Sequence, residues 1–405
     1  MITVEEAQAR IRAGFAPTAP ELIGLAEAHG RVLAEDLVAR RTQPPFAMSA
    51  MDGYAVRAAD VTEVPARLRL IGGVAAGGRF DGVVGPGEAV RIFTGAPVPA
   101  GADTIVIQED TTTAGDGTVE VHEAARPGQH IRDAGLDFVD GVSRIPAGTR
   151  LTARHLGLAA GMNRPWLMVH RRPRVAILPT GDEVALPGDP VGPNQIVSCN
   201  GVALAALVAS AGGIPIQLGI APDDESSLIR LAAGASGADL LLTAGGASVG
   251  DHDLVQKALG QAGLEVDFWK IALQPGKPLI FGRLGATPLL GLPGNPVSAL
   301  ICGLLFVQPA LERLTGLPGN GPETEPALAG AALGPTDRRQ LYLRATILRD
   351  DSGRLIATPW TRQDSSMISC LAESQGLIVR PPHAAAAAAG DRIAIIRFVD
   401  GALPF

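Results

Sequence analysis

The segment ADLLLTAGGASVGDHD, residues 238–253, decides how the rest of the chain is read. Leu240–Thr243 is an apolar run of strand length. It breaks at Gly245-Gly246, and a helical pattern, DLVQKAL, begins at Asp253. A strand that stops at glycines and turns into a helix aims backbone N–H groups at one point, and glycine lets an anion approach them closely. Gly245, Gly246 and Ser248 are therefore candidates for an anion cradle. Asp251 and Asp253 bring carboxylates to the same place, as a site for an anion and a divalent metal requires. A tight βα turn with Asp253 as the helix N-cap explains the same letters.

Three further loops share this character. Arg174–Leu178 reads as a buried strand ending in Pro179-Thr180-Gly181-Asp182-Glu183. Phe268–Leu273 reads as another, ending in Gln274-Pro-Gly-Lys277-Pro278. Pro288–Leu292 is a third, ending in Pro293-Gly294-Asn295-Pro296, with a long apolar helix from Val297 to Leu314 behind it. Helical patterns at 201–211 and 225–233 separate the strands. Alternating strands and helices imply a parallel sheet covered on both faces, with ligands bound outside the carboxyl ends of its strands.

Composition narrows the field. At 405 residues the chain is too long for one ordinary core, and 46% hydrophobic residues argue against disorder. A net charge of −7 with no long basic run argues against nucleic acid as a partner. Cys199, Cys302 and Cys370 form no CxxC pair, which speaks against zinc and redox pairs and suits a cytoplasmic location. No apolar run is expected to span a membrane, and the first residues carry no leader pattern; Thr3 and Glu6 instead form a capping box.

Residues 3–40 read as helix, loop, helix and an extended segment. Residues 41–140 are rich in Gly, Pro and Thr, with short β runs at 67–71, 89–93 and 104–108. A helical pattern returns at 150–162, the α/β region occupies 169–315, and β runs at 341–348, 355–360, 377–381 and 392–398 make a small β domain. Ala384–Ala389 reads as a short helical turn.

The segment Pro44-Pro-Phe-Ala-Met-Ser-Ala-Met-Asp52-Gly53-Tyr54 suits neither helix nor strand and alone reads as a surface loop with an Asp-Gly turn. With it, the set PPFAMSAMDGYAV (44–56), RIFTGAPVPAGADTIV (91–106), LPTGDEV (178–184), TAGGASVGDHD (243–253), FWKIALQPGKPLIFG (268–282) and GLPGNPVSAL (291–300) resembles the molybdopterin molybdenumtransferase family, which includes the C-terminal domain of gephyrin. The resemblance covers essentially the whole chain. It implies an α/β multidomain fold: an elongated linking domain (1–40 with 140–168), an inserted β domain (41–139), a parallel-sheet α/β pterin-binding domain (169–315) and a C-terminal β-barrel (316–405).

The activity so implied is insertion of molybdenum from molybdate into the dithiolene of adenylylated molybdopterin, with release of AMP and a need for Mg²⁺. Implied partners are a second copy of the chain, the upstream adenylyltransferase and acceptor molybdoenzymes. The adenylyltransferase of the preceding step and a non-catalytic scaffold are the competing readings. The first lacks counterparts of residues 41–168 and of the C-terminal β domain, and the retained acidic residues argue against the second.

Carried over position by position, the resemblance gives Asp253 to the metal. Glu183, Asp52, Asp137 and Asp251 become the candidate catalytic acids, with Glu183 a general base or a metal-orienting group and solvated loop carboxylates the alternative. Thr94, Gly245, Gly246, Ser248, Lys270, Lys277, Pro293, Asn295, Pro296 and Ser298 are candidate substrate contacts. Thr94 is read equally well as a turn residue and Lys270 as a strand-edge lysine. Arg339, Arg344 and Ser369 match positions near the molybdate site, where arginine's fixed donors suit a tetrahedral oxyanion. Two departures stand out: Gln274 replaces a lysine common in relatives, and Val197-Ser198-Cys199-Asn200 lacks their Asp.

Overall fold

A computed structural model describes residues 1–245 and 254–398, with backbone only at 254. The chain divides into two compact units, one of Met1–Glu21, Gly30–Ala34 and Met168–Phe405, the other of Leu22–His29 and Glu35–Leu167.

The first unit is built on a six-stranded sheet in the order Ile214–Gln217, Arg174–Pro179, Leu240–Ala244, Thr287–Leu292, Pro278–Leu284, Leu264–Lys270. The first four strands are parallel, as their alternation with helices predicts. Pro278–Leu284 runs antiparallel to both neighbours, so the sheet is mixed. The cause is local: only Gly285 and Ala286 separate it from Thr287, and so short a link closes a hairpin and no crossover. Strand alternation buries Val175, Ile177, Leu242 and Leu290 on one face and Ala176, Leu178, Leu241 and Leu289 on the other. Asn200–Ser210 and the helical run from Pro296 to Leu314 cover the first face; Glu225–Ala232 and Leu254–Gln261 cover the second.

The Pro296–Leu314 run is 19 residues long with a mean hydropathy of 1.5, long and apolar enough to cross a membrane, contrary to expectation; 83% of it is buried in the protein, where an α/β sheet needs an apolar helix. Its middle, Gly303–Val307, widens to a π-helix. Pro309 has no N–H for the Leu305 carbonyl, and the Gln8 side chain donates to that oxygen at 3.1 Å. Gln8 lies on the first helix, Val4–Ala13, whose Val4, Ala7 and Ile11 sit in the same core as the sheet. This helix thus packs with the α/β region, apart from residues 35–40. Thr3 caps it through the Glu6 N–H at 3.0 Å, while the Glu6 carboxylate turns to Arg10, so half of the capping box forms. The expected second helix is absent: Pro20–Gly24 is a strand.

Five strands at the C-terminus, Glu325–Ala329, Gln340–Arg349, Leu355–Pro359, Gly376–Arg380 and Arg392–Arg397, each pair with two others and close a barrel. Ala384–Ala389 is irregular, with Ala387 bridged to Leu333. The expected strand Phe268–Leu273 is split. Its end, Leu273–Gln274, leaves the α/β sheet and pairs in parallel with Gln340–Leu341 of the barrel.

The second unit centres on a six-stranded sheet in the order Thr104–Ile107, Gly53–Val56, Glu88–Ile92, Ala66–Val74, Thr118–Val121, Thr111–Thr113, and also holds the helix Ala153–Gly161. The expected Asp-Gly surface turn is instead a strand start. A Cβ at Gly53 would lie 1.9 Å from the Val106 carbonyl oxygen, so only glycine permits this pairing.

Candidate active site

Outside the carboxyl ends of the parallel strands of the first unit lies a cleft of about 1460 Å³. Three of the sequence-predicted loops meet at its floor. Gly245, at φ +107°, has room for no side chain, because a Cβ there would stand 2.5 Å from the Thr180 carbonyl oxygen. A Cβ on Gly294 would lie 3.4 Å from the Gly245 Cα. The hydroxyls of Thr180 and Thr243, at the ends of adjacent strands, are buried with no hydrogen-bond partner among the described residues. An unsatisfied buried hydroxyl costs about 1–3 kcal/mol, a cost that a ligand or water at this floor would relieve.

Glu183 reaches the cleft from the Thr-Gly-Asp-Glu loop. Its carboxylate folds over Gly181, whose Cβ would lie 2.5–2.9 Å from all three carboxylate atoms. Asp182 and Asp223 each accept the other's backbone N–H, at 3.0 and 3.4 Å, and so clip two loops together, with Asp223 facing the cleft. Lys277 enters from the Pro275–Pro278 loop. Gly276, at φ +115°, lets that loop press on the core, since a Cβ would stand 2.7 Å from the buried Cys302 sulfur. On the far side Asn200 donates to the Gly294 carbonyl at 2.7 Å, and Asn295 donates to the Ser365 hydroxyl at 2.7 Å. The latter bond ties the Pro293–Pro296 loop to the segment after the barrel strand Leu355–Pro359. Tyr342, its hydroxyl accepting from Gln340 at 2.8 Å and pushed up in pKa by burial, closes the wall beside Gln363.

Of the sequence-predicted residues, Glu183, Gly245, Lys277, Pro293, Asn295, Pro296, Ser298 and Arg339 line this cleft. Gly246, Ser248, Asp251 and Asp253 lie outside the described residues. Lys270 is not among the lining residues; its ammonium sits 3.7 Å above the Trp269 ring. Arg344 is 1% exposed, and its guanidinium donates to Gln363 Oε1 and to the carbonyls of Met367 and Arg362. Ser369 is exposed, on the short helix Ile368–Ala372, and does not line the cleft. Asp52, Thr94 and Asp137 belong to the second unit. There Asp52 accepts from the Thr94 N–H at 2.7 Å and from its hydroxyl at 2.8 Å. Those bonds, with Arg91 nearby, hold its carboxyl below the usual range. Asp137 is exposed on a loop anchored by Arg144, which donates to its carbonyl at 2.8 Å.

Sequence reasoning missed Asp223, Lys257, Asn200, Tyr342 and the 363–366 segment of the cleft wall. Asp223 and Asn200 carried a signal, since each stands at a helix start; the rest arrive through the barrel or a helix face. The cleft's cations differ in freedom. Lys257 pairs with Glu225 at 2.5 Å and Arg339 with Asp337 at 2.9 Å, while Lys277 has no carboxylate partner among the described residues.

For a divalent cation, no group of three His, Cys, Asp or Glu side chains that could hold one occurs among the described residues. Glu183 and Asp223 nevertheless bring two carboxylates to one cleft. Mg²⁺ commonly takes only one or two carboxylates and completes its shell with substrate phosphate and water, so this donor set fits it.

A mixed α/β sheet with a polar crevice at its strand ends, walled by a closed barrel, has the architecture of an α/β enzyme that binds a small molecule there. Residues 2–162 match the family described as MoeA N-terminal region (domain I and II), residues 176–313 the probable molybdopterin binding domain, and residues 327–398 the MoeA C-terminal region (domain IV). The chain belongs to the MoeA family of molybdopterin molybdenumtransferases and is an enzyme of molybdenum cofactor biosynthesis. It is 36% identical to molybdopterin molybdenumtransferase 2 of Mycobacterium tuberculosis over 98% of this chain and 99% of that one. It is 34% identical to the molybdopterin molybdenumtransferase of Haemophilus influenzae over 98% and 99%. Two structures of molybdopterin biosynthesis MoeA proteins from Pyrococcus horikoshii superpose with TM-scores of 0.85, at 31% and 26% identity, over 98% of this chain and 99% and 100% of theirs.

Proposed function

We propose that the cleft binds adenylylated molybdopterin and molybdate, transfers molybdenum to the dithiolene sulfurs and releases AMP. The observation that carries this reading is the meeting of the Gly245, Gly294 and Lys277 loops with the Glu183 and Asp223 carboxylates in one cleft. Gly294 is exposed at the cleft, Gly245 is buried beneath it with its N–H given to the Leu292 carbonyl at 3.3 Å, and Lys277 offers a charge that no described carboxylate quenches. The substrate brings its own sulfur ligands, so the protein's work is to position two anions and to stabilise charge, without a covalent nucleophile.

Glu183 stands where it accepts a proton or orients a cation, and Asp223 shares the second role. Asp253 completes that set in the proposal. A Mg²⁺ held by these carboxylates would supply positive charge against the substrate phosphates. Asp52, Thr94 and Asp137 serve the same reaction from a second copy of the chain in a homodimer. The upstream adenylyltransferase, as donor of the adenylylated pterin, and acceptor molybdoenzymes are the proposed partners. The unpaired cysteines support a cytoplasmic location.

The test is direct. Purified protein incubated with adenylylated molybdopterin, molybdate and Mg²⁺ is expected to yield AMP and molybdenum cofactor in equal amounts. AMP without cofactor would reduce the assignment to a hydrolase, and neither product would remove it.

A further inference from the structure

Arg339 does not meet the cleft as a free cation. Its Nε lies 3.1 Å and its Nη2 2.9 Å from Asp337 Oδ2, and its backbone N–H donates to Asp337 Oδ1 at 2.8 Å. Both ends of this pair are fixed by the fold. The Asp337 carbonyl accepts from the His383 N–H at 2.8 Å, and the neighbouring Thr336 hydroxyl donates to the Pro381 carbonyl at 2.7 Å. One residue beyond Arg339, the Gln340 N–H donates to the Ala272 carbonyl at 2.8 Å, where the barrel strand meets Leu273–Gln274. The pair therefore stands at the seam of barrel and α/β sheet, beside the segment that carries Gln274 and Lys277.

A guanidinium has two edges suited to an oxyanion, Nε with Nη2 and Nη1 with Nη2. The carboxylate takes the first edge. Nη1 carries no protein hydrogen bond among the described residues, and Arg339 lines the cleft. Asp337 also offsets part of the positive charge at this wall, where Arg338 stands beside Arg339. The cleft already faces the carboxylates of Glu183, Asp223 and Asp364, and Lys257 is tied to Glu225. Lys277 is then the cleft's one cation without a carboxylate partner among the described residues.

We propose that Asp337 is a positioning and affinity-setting residue for the oxyanion: it presents the Nη1/Nη2 edge of Arg339 to the cleft and holds down the affinity of that wall for a tetrahedral dianion. The inference rests on the reading that molybdate binds in this cleft. Asp337 itself touches no substrate. A dianion delivered to a chemical step has to be held and then given up, and a fixed counter-charge beside the binding cation limits how tightly it is held.

The experiment measures binding of inorganic molybdate to the whole protein by calorimetry at low and moderate salt, and turnover alongside it. Asp337→Asn keeps the shape and one acceptor oxygen and removes the charge. It is expected to tighten molybdate binding at least about threefold at low salt, with the gain shrinking as salt screens it. The half-saturating molybdate concentration falls in parallel, and that for the adenylylated pterin stays unchanged. Asp337→Glu, which retains the charge, is expected to stay within about twofold of the parent, since changes of that size are a fraction of a kcal/mol. A merely structural Asp337 predicts weaker or unchanged molybdate binding in Asp337→Asn, and that result overturns the inference. Lys277→Ala separates the two levels. If it weakens molybdate binding while Asp337→Asn changes nothing, only the role of Asp337 falls. If neither variant moves it, the oxyanion binds elsewhere and both readings fall.

Discussion

Cations of the α/β loops and arginines of the barrel look alike in sequence and are used in opposite ways. Lys277 stands on a loop that leaves the sheet at a strand end, where the backbone turns away from its neighbours and the ammonium has no described counter-charge. Arg344 lies in mid-strand in the barrel, and the oxygens of Gln363, Met367 and Arg362 surround its guanidinium. Arg339, at the seam, is half committed, one edge to Asp337 and one to the cleft. Strand ends leave charge available for a ligand, whereas a closed barrel this small consumes it to satisfy its own carbonyls.

The comparison breaks most clearly at Arg344. Arg344→Leu strips donors from buried carbonyls and is expected to cost about 2–3 kcal/mol of stability, read as a lower melting temperature and denaturation midpoint. Lys277→Ala is expected to leave both near the parent values. A stable Arg344→Leu that has lost molybdate binding reverses the assignment of the two residues.

Next in size is Glu183→Gln. Bound adenylylated pterin is expected to turn over at least about tenfold more slowly, equivalent to ~1.4 kcal/mol of transition-state stabilisation, with an unchanged melting temperature. A normal rate in a less stable protein makes Glu183 a structural cap on Gly181.

Lys277→Ala is then expected to raise the half-saturating molybdate concentration about fivefold, a change of ~1 kcal/mol, with the pterin dependence unchanged. Gln274→Lys, which adds a cation to the same segment, is expected to act in the other direction and to make molybdate binding steeper in salt. Titrations of both variants at two ionic strengths check the pair. A null result in both places the oxyanion away from the Pro275–Pro278 loop.

The smallest effect concerns a carboxylate spent on the backbone, in contrast to Glu183. Asp224 caps Glu225–Ala232, accepting from the Ser226 hydroxyl at 2.7 Å and the Ser227 N–H at 2.8 Å, and those bonds lower its pKa to about 2. A depressed folded-state value stabilises the fold above the unfolded pKa near 3.8, and the benefit is lost as pH falls through about 2. Asp224→Asn is expected to melt slightly earlier at neutral pH and to lose this acid-range slope. A parallel slope in the variant assigns the titration to another group.

Most of the α/β fold was legible because its signals are local. Apolar runs of four to six residues ended in Gly and Pro, and Leu240–Ala244, Arg174–Pro179 and Thr287–Leu292 are strands within a residue or two of their expected ends. Pro278–Leu284 was hidden in the same kind of apolar text, because direction is not written in hydrophobicity. Pro20–Gly24 and Gly53–Val56 were misread for a related reason: their strand state is imposed by partners distant in sequence, as the approach of Gly53 to the Val106 carbonyl shows.

By itself, then, the sequence determined the family, the alternating strands and helices, and the loops that carry Glu183, Gly245, Lys277 and Asn295 to one edge of a sheet. Those follow from short-range chemistry: glycine where backbone must come close, proline where a loop must be rigid, and charge where a strand has ended. Only the tertiary structure decided which charges remain free. Asp337 against Arg339, Gln363 around Arg344, Glu225 on Lys257 and Trp269 beneath Lys270 all depend on where side chains land after folding. A charge becomes available or spent through neighbours within a few ångströms, and folding alone brings those neighbours together.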